Sequence, residues 1–282
     1  MNLATAFTGS VQKHATKTAM FWGDQGFTFT QLHDQARAVA QELAATLGVK
    51  PGDRVGLWLK NRPEFVPAYF GILNAGGVVV PINNFLKPDE VSYMLGNCGA
   101  KLLITEEELA GHAPAIVASV PGLQVLKVEA FAALPPASPS LPASQRTEQD
   151  LAVIIYTSGT TGRPKGAMLS HGNLLHNINS CRIVLETVEV DRFAVLLPLF
   201  HSYMMTVGML LPLLVGGSMV LVRSLNHPHH ALKELFLHQA TVLPAIPQFY
   251  RTLANAQLPG KLPFRICVSG AAPLPVQVLK DF

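Results

Sequence analysis

Apolar and polar positions alternate along the chain in a way that predicts helices and strands in turn. After Thr30, a predicted N-cap, apolar residues recur at helical spacing as far as Leu47, and Gly48 ends the helix. Helical spacing also occupies residues 63–74, 88–97, 171–186, 203–214 and 247–255. Short apolar stretches predict strands at 54–59, 78–82, 101–105, 151–156, 194–197, 218–222, 241–243 and 264–270. This alternation predicts an α/β fold with mostly parallel sheets covered by helices.

Two features divide the pattern into similar halves. Residues 132–149 are rich in proline and have no apolar periodicity, which predicts a loop or linker. The segments AYFGILNAGGVVVPI and VGMLLPLLVGGSMVLV, one on each side, both run from an apolar helix through Gly-Gly into a β-branched strand. We therefore predict a first α/β subdomain at residues 1–145, with the linker at its end, and a second at residues 146–282.

Residues 193–222 form a long stretch without Asp, Glu, Lys or Arg. The stretch is long enough to span a bilayer. Pro198, Pro212 and the pair Gly216-Gly217 interrupt it, however, and divide it into a strand, a helix and a second strand. We predict a buried α/β core here and no membrane span.

Composition and charge narrow the classes of function. The chain is 49% hydrophobic and 14% charged, and this low charge indicates sheets covered on both faces, a membrane, or a large surface that another part of the protein covers. Basic residues are scattered, so nucleic acid is not an expected partner. Cys98, Cys181 and Cys267 are too far apart for a zinc site or a redox pair. The N-terminus lacks the apolar core of a secretory signal, and we expect a cytoplasmic protein with reduced thiols.

Candidate chemistry is concentrated in the segment YTSGTTGRPKG, residues 156–166. Glycines let backbone N–H groups approach oxygens closely, hydroxyls donate hydrogen bonds, and Lys165 adds a positive charge. Ser170 is placed to cap the helix that follows. The segment differs from a Walker loop because Lys165 is followed by glycine and the earlier glycines are too close together. The residue types still favour a phosphate ligand.

The ordered string YTSGTTGRPKGAMLSHGNL resembles the signature of the adenylate-forming ligase superfamily, which includes acyl-CoA synthetases, peptide-synthetase adenylation domains and firefly-type luciferases. Three further segments resemble family segments in the same order: GDRVGLWLKNRPEFVPAYFGILNAGGVVVPIN, LLPLFHSYMM and VSGAAPLP. The resemblance covers nearly the whole chain. Four ordered motifs are far more specific than any one of them alone.

The resemblance implies a two-step reaction. A carboxylic acid attacks the α-phosphate of ATP to give acyl-AMP and pyrophosphate, and the thiol of coenzyme A then takes the acyl group. ATP, Mg²⁺ and coenzyme A are therefore expected. The loop around the β- and γ-phosphates would consist of Thr157, Ser158, Gly159, Thr160, Thr161, Gly162 and Lys165. Thr157 would also lie at the magnesium site.

The resemblance also implies a catalytic role for His201 beside that of Lys165. His201 aligns with a histidine that lines the acyl pocket near the carboxylate. The wall beside the adenine would consist of Ser269, Gly270, Ala271, Ala272 and Pro273, and Ala271 stands where glycine is the commoner residue. The histidines at 227, 229 and 230 have no cysteine or carboxylate nearby, which favours a solvated loop over a metal site.

Several later family motifs have no counterpart before Phe282. These are the Tyr-Gly-x-Thr-Glu motif, the ribose-binding aspartate and the C-terminal domain with its catalytic lysine. We therefore expect an N-terminal portion of a longer enzyme, whose partner is the C-terminal domain of the same chain. By itself this portion is expected to bind ATP weakly and to form no acyl-CoA.

The expected substrate is a fatty acid, because the segment MMTVGMLLPLLVGG suits an apolar tunnel, although the same residues also suit a helix core. An aryl-acid CoA ligase and a non-catalytic nucleotide- or acyl-binding module remain open. A peptide-synthetase adenylation domain is disfavoured, since no aspartate follows Phe200-His201. A peripheral membrane contact and a homodimer also remain open.

Overall fold

The computed structural model describes residues 1–141, 144–157, 163–223, 228–255 and 262–282. Contacts within the chain divide it into two units. Unit 1 comprises Met1–Thr16 and Phe29–Asn177, and unit 2 comprises Lys17–Thr28 and Ile178–Phe282.

The described strands and helices follow the alternation that the sequence predicts, with additional short elements. In chain order the strands are β1 (Thr18–Trp22), β2 (Gln25–Thr28), β3 (Arg54–Trp58), β4 (Val78–Pro81), β5 (Ala100–Thr105), β6 (Gln124–Lys127), β7 (Leu151–Thr157), β8 (Lys165–Ser170), β9 (Arg192–Val195), β10 (Ser218–Leu221), β11 (Val242–Ala245) and β12 (Ile266–Ser269). The α-helices are α1 (Leu3–His14), α2 (Phe29–Gln41), α3 (Phe65–Asn74), α4 (Pro88–Cys98), α5 (Glu107–Ala110), α6 (Ala113–Ser119), α7 (His171–Val184), α8 (Leu211–Val215), α9 (Pro228–Leu237), α10 (Pro247–Ala254) and α11 (Val276–Asp281). π-helical turns extend α2 over Glu42–Thr46 and precede α8 over Met204–Leu210, and a 3₁₀ helix spans Val128–Ala133.

Unit 1 is built on a six-stranded sheet in the order β6-β5-β3-β4-β7-β8. Its neighbouring strands from β6 to β7 are parallel, and β8 pairs antiparallel with β7 at the edge. All four residues of β4 are buried, as expected for a strand covered by helices on both faces.

Unit 2 repeats this topology with the strand order β12-β11-β9-β10-β1-β2. Its strands from β12 to β1 are parallel, and β2 pairs antiparallel with β1 at the edge. Each sheet therefore ends in one antiparallel hairpin, β7-β8 in unit 1 and β1-β2 in unit 2. The shared topology confirms the prediction of two similar α/β subdomains with mostly parallel sheets.

The units have other bounds than the predicted subdomains 1–145 and 146–282. Strand β1 pairs with β10, with Met20 opposite Met219, so residues 18–28 belong to the second sheet. Strand β7 pairs with β4, with Val153 opposite Val79, so the hairpin β7-β8 belongs to the first. Pairing between strands far apart in sequence leaves no local apolar pattern from which it could be predicted.

The uncharged stretch 193–222 forms β9, the π-helical turn, α8 and β10. The residues of β10 and of the π-helical turn are all buried, which confirms the predicted α/β core. Within the part of the chain that the structure describes, no helix is long and apolar enough to cross a membrane.

The proline-rich segment is fixed to helices of unit 1. The Ser138 amide donates to Gln41 Oε1 at 2.7 Å, and the Ser138 carbonyl accepts from Arg37 at 2.9 Å. Further along, the side-chain amide of Asn2 donates to the Arg146 carbonyl at 2.7 Å. The segment has little regular structure, as predicted, yet it packs along α1 and α2 instead of linking two subdomains.

Of the two predicted helix caps, one is present and one is wrong. Ser170 Oγ accepts from the Asn173 amide at 3.1 Å and Asn173 Oδ1 accepts from the Ser170 amide at 3.0 Å, which caps α7. Thr30 does not cap α2, because the helix already begins at Phe29 and the Thr30 hydroxyl donates to the Ala15 carbonyl.

Candidate functional site

The predicted phosphate loop joins the two strands of the edge hairpin in unit 1. Thr157 is the last residue of β7, Lys165 is the first of β8, and the two residues lie opposite each other. In the corresponding hairpin of unit 2, Trp22 lies opposite Gln25, and only Gly23 and Asp24 intervene. The connection over residues 158–164 is therefore longer than the two residues that suffice to reverse the chain direction in unit 2. Of the predicted loop residues, Ser158, Gly159, Thr160, Thr161 and Gly162 lie outside the described residues.

Thr157 and Lys165 are both exposed at the base of this loop. Among the described residues no carboxylate forms an ion pair with the Lys165 ammonium group. Its positive charge is therefore available to an anionic ligand.

The hairpin below the loop is closely packed. A Cβ atom on Gly166 would lie 2.7 Å from Ile154 Cγ2, so only glycine fits opposite β7 at this point. The Tyr156 hydroxyl lies 3.1 Å from the Met94 carbonyl and 2.6 Å from Asn97 Oδ1, and these contacts fix β7 to α4. Burial raises the pKa of Tyr156, so its hydroxyl remains a hydrogen-bond donor at neutral pH.

Helix α4 also holds the end of the loop. The Tyr93 hydroxyl lies 3.4 Å from the Pro164 carbonyl, and the Arg163 guanidinium carbon lies 5.3 Å from the centre of the Tyr93 ring. Arg163 is thus a second cation beside Lys165, oriented by a cation–π contact. The sequence did not predict the role of Tyr93, because α4 lies far from the loop in sequence. Tyr156 begins the loop segment, but its contact with α4 has no local sequence pattern either.

In unit 2, His201 follows β9 and is exposed. Its Nδ1 atom accepts a hydrogen bond from the Tyr203 amide at 3.3 Å. In the neutral ring the proton is therefore on Nε2, which can donate to an oxygen of a ligand.

The predicted adenine-side turn, residues 269–273, follows β12 in the same unit. Ser269 Oγ is buried, and none of the residues that the structure describes forms a hydrogen bond with it. Ala271 has φ +67°, the left-handed conformation that glycine adopts at less cost, and it stands where the family commonly has glycine. Ala271, Ala272 and Pro273 are exposed.

Tyr203 joins the His201 segment to this turn. Its hydroxyl donates to the Val268 carbonyl at 2.9 Å, and its ring lies against the backbone of Gly270. Tyr203 thus connects the segment that carries His201 to the turn after β12 within unit 2, whereas Thr157 and Lys165 belong to unit 1. The sequence analysis did not predict a role for Tyr203, although its position two residues after His201 places it in the same motif.

The predicted absence of a histidine metal site stays a prediction. His227 lies outside the described residues, and the side chains of His229 and His230 are not described. In the described part of the chain, no group of three or more His, Cys, Asp or Glu residues could hold a metal ion.

The chain is similar in sequence to known proteins of one family. A family model described as AMP-binding enzyme matches residues 7–282. The chain belongs to this family. AMP-binding enzymes with related sequences include a feruloyl-CoA synthase of Amycolatopsis sp, 33% identical over 274 residues that cover 94% of this chain and 53% of the relative. A long-chain-fatty-acid–CoA ligase of Bacillus subtilis (strain 168) is 29% identical over 320 residues, covering 99% of this chain and 57% of the relative.

A solved structure of an AMP-binding enzyme confirms the fold. The anthranilate CoA ligase AuaEII in complex with anthranoyl-AMP superposes with a TM-score of 0.91 at 28% identity, covering 100% of this chain and 57% of that one. The chain spans about half the length of the curated relatives it matches.

Proposed function

We propose that the whole protein activates a carboxylic acid with ATP and transfers it to coenzyme A. The carboxylate oxygen attacks the α-phosphate, acyl-AMP forms and pyrophosphate leaves; the thiol of coenzyme A then displaces AMP and loses its proton. Membership of the AMP-binding enzyme family supports this proposal. The observation that carries it is the connection between Thr157 and Lys165, which is five residues longer than its counterpart in unit 2 and is rich in hydroxyls and glycine.

The phosphate end of ATP is proposed to bind at this connection. Lys165 and the hydroxyls of the loop would neutralise negative charge on the β- and γ-phosphates, which favours departure of pyrophosphate. Thr157 offers one hydroxyl oxygen, which suits a Mg²⁺ ion held mainly by phosphate oxygens. Such an ion would supply further charge neutralisation when bound.

The adenine is proposed to lie against the turn 269–273 in unit 2. The buried hydroxyl of Ser269 supports this, because it has no partner in the described part of the chain and buried polar groups in proteins are nearly always hydrogen-bonded. His201 is proposed to donate from Nε2 to the carboxylate of the acid, which would orient the nucleophile for attack.

A fatty acid is the first candidate substrate, and the name of the Bacillus subtilis relative supports it. An aryl acid is the second candidate, supported by the names of the feruloyl-CoA synthase and the anthranilate CoA ligase. Met204, Met205 and Met209 are fully buried in the core of unit 2, so they give the fatty acid no additional support.

Pyrophosphate release by the whole protein tests the proposal. Octanoate, palmitate, ferulate and benzoate are supplied in turn with ATP and Mg²⁺, with and without coenzyme A. Acid-dependent pyrophosphate release that falls about a hundredfold in Lys165→Ala supports acyl activation. ATP binding without release for any acid would instead identify a non-catalytic nucleotide-binding module.

A further inference from the structure

Unit 1 contains a small pocket, lined by both polar and apolar atoms, among the three helices α1, α2 and α3 and the proline-rich segment. Its volume is about 120 Å³. The lining residues are Thr5 and Thr8 of α1, His33 and Arg37 of α2, Asn74 at the end of α3, and Leu141 and Ser144. None of these residues belongs to the predicted phosphate loop, the turn 269–273 or the His201 segment.

Two of the lining side chains satisfy each other. The Thr8 hydroxyl donates to the Ala4 carbonyl at 3.1 Å, so its oxygen is free to accept from His33 Nε2, 3.2 Å away. Burial lowers the pKa of His33, and the nearby Arg37 lowers it further although Asp34 opposes the shift, so the ring is neutral at pH 7. Thr8 and His33 therefore form a fixed wall.

Other lining groups keep hydrogen-bonding capacity. Ser144 Oγ is buried, and no described residue forms a hydrogen bond with it. No described residue bonds the side-chain amide of Asn74, which is half-buried. Arg37 uses one N–H group for the Ser138 carbonyl and retains others. A buried hydroxyl without a partner is costly, and a ligand that bonds it would remove this cost.

The charges in and around the pocket favour an anion. The Arg37 guanidinium is the one charged group of the lining. The Asp34 carboxylate lies 3.8 Å from His33 Nδ1 but is largely exposed and does not line the pocket. Guanidinium, amide and hydroxyl donors together match the oxygens of a carboxylate or a phosphate.

We propose that this pocket binds a small oxyanion, independently of the ATP site. Arg37 would supply the charge, and Asn74 and Ser144 would supply neutral hydrogen bonds. The shared ligand chemistry is a compact anion with two or more oxygens, either inorganic phosphate or a short carboxylate such as propionate. Leu141 lies in the lining, which would suit the methyl end of propionate.

The test is titration of the 282-residue chain with sodium phosphate and, separately, with sodium propionate at constant ionic strength, followed by amide NMR. We expect saturable shifts at Thr5, Thr8 and Asn74 with one of the two anions, and its identity distinguishes the two sources. Arg37→Gln should weaken this binding at least about tenfold, and Ser144→Ala about threefold. Arg182→Gln, which removes an exposed arginine of α7, is the control and should leave it unchanged.

Three outcomes would overturn the proposal. In the first, the amide shifts grow linearly without saturation for both anions, which would mean that only water occupies the pocket. In the second, Arg37→Gln and the control bind the anion with equal affinity. In the third, the saturable shifts are confined to Lys165 and its neighbours. If Arg37→Gln does not fold, Ser144→Ala and Asn74→Ala provide the same comparison, because neither removes a hydrogen bond between described residues.

Discussion

The ring of Tyr203 lies directly over the backbone of Gly270. A Cβ atom added to Gly270 would be 2.6 Å from Tyr203 Cζ and 2.8 Å from Cε2. The ring cannot move away freely, since its hydroxyl donates to the Val268 carbonyl. This contact fixes the turn after β12 relative to the segment that carries His201.

Replacing Gly270 by alanine should therefore disturb both parts at once. We expect Gly270→Ala to lower the free energy of unfolding by about 1–3 kcal/mol, the usual cost of overpacking, and to weaken ATP binding. Chemical denaturation and an ATP titration measure the two effects. Gly96→Ala, at a helical glycine of unit 1 where an added Cβ meets nothing within 4 Å, is the control. Equal stability and affinity in both variants would contradict the packing described for Tyr203.

A substitution at Ala271, the next residue of the turn, should instead raise the free energy of unfolding. Ala271 holds φ +67°, which costs a residue with a Cβ roughly 1 kcal/mol more than it costs glycine. Ala271→Gly should thus raise the free energy of unfolding by up to about 1 kcal/mol, although the more flexible unfolded chain offsets part of the gain. Ala272→Gly should only destabilise. A destabilised Ala271→Gly variant would show that the turn is not strained.

His171 makes stability depend on pH. The side chain is fully buried, and its Nδ1 accepts from the Leu3 amide at 3.2 Å, so α7 is tied to the start of α1. Burial lowers the pKa of His171 to about 4, and the nearby charges of Arg146 and the N-terminus lower it further while Asp150 opposes them. Its pKa in the unfolded chain is near 6.5, so between these values the unfolded chain binds the additional proton. Stability should fall by about 2–3 kcal/mol as the pH falls from 7 to 4.

Denaturation at a series of pH values checks this expectation. His171→Asn keeps an acceptor near the Leu3 amide but does not titrate, so the slope between pH 4 and 6.5 should flatten. His176→Asn, at an exposed position of the same helix, is the matched control and should keep the wild-type slope. An unchanged slope in His171→Asn would assign the pH dependence to other groups.

Asp191 connects the residues that directly precede strands β9, β11 and β12 in unit 2. Its buried carboxylate accepts from the Val188 amide at 2.9 Å, from the Thr241 hydroxyl at 2.8 Å and from Arg265 Nε at 2.7 Å. Removing it leaves three donors without a partner. Because Arg265 is partly exposed and can turn to water, we expect Asp191→Ala to cost about 2–4 kcal/mol in thermal or chemical denaturation. Asp24→Ala, at an exposed residue of the same unit, should cost less than about 0.5 kcal/mol. A similar loss in both variants would contradict this role.

The parts of the fold that could be predicted are those with a strong local pattern. Strand β4 and helix α3 are buried along nearly their whole length, so their apolar residues stand out in the sequence. Strand β8 lies at the edge of its sheet with half of its residues exposed, and it gave no apolar signal. The sequence pattern therefore predicts a loop that extends through Lys165, which the structure places at the start of that strand.

In the candidate site, too, only residues within a distinctive local motif could be predicted. Motifs identified Lys165, His201 and the turn 269–273, because their residue types are distinctive in order. The side chains that position them, Tyr93, Tyr156 and Tyr203, act through contacts with backbone atoms distant in sequence. No local pattern could reveal those contacts.

The central claim is that the connection between Thr157 and Lys165 binds the phosphates of ATP. The most direct measurement is an ATP titration of the 282-residue chain followed by amide NMR, with Lys165→Ala compared with Lys101→Ala, which removes an exposed lysine from β5 of the same sheet. We predict weak but saturable binding, shifts at Thr157 and Gly166, and a loss of affinity of about tenfold in Lys165→Ala alone. Saturable shifts elsewhere, no saturable binding, or equal affinity in the two variants would contradict the claim.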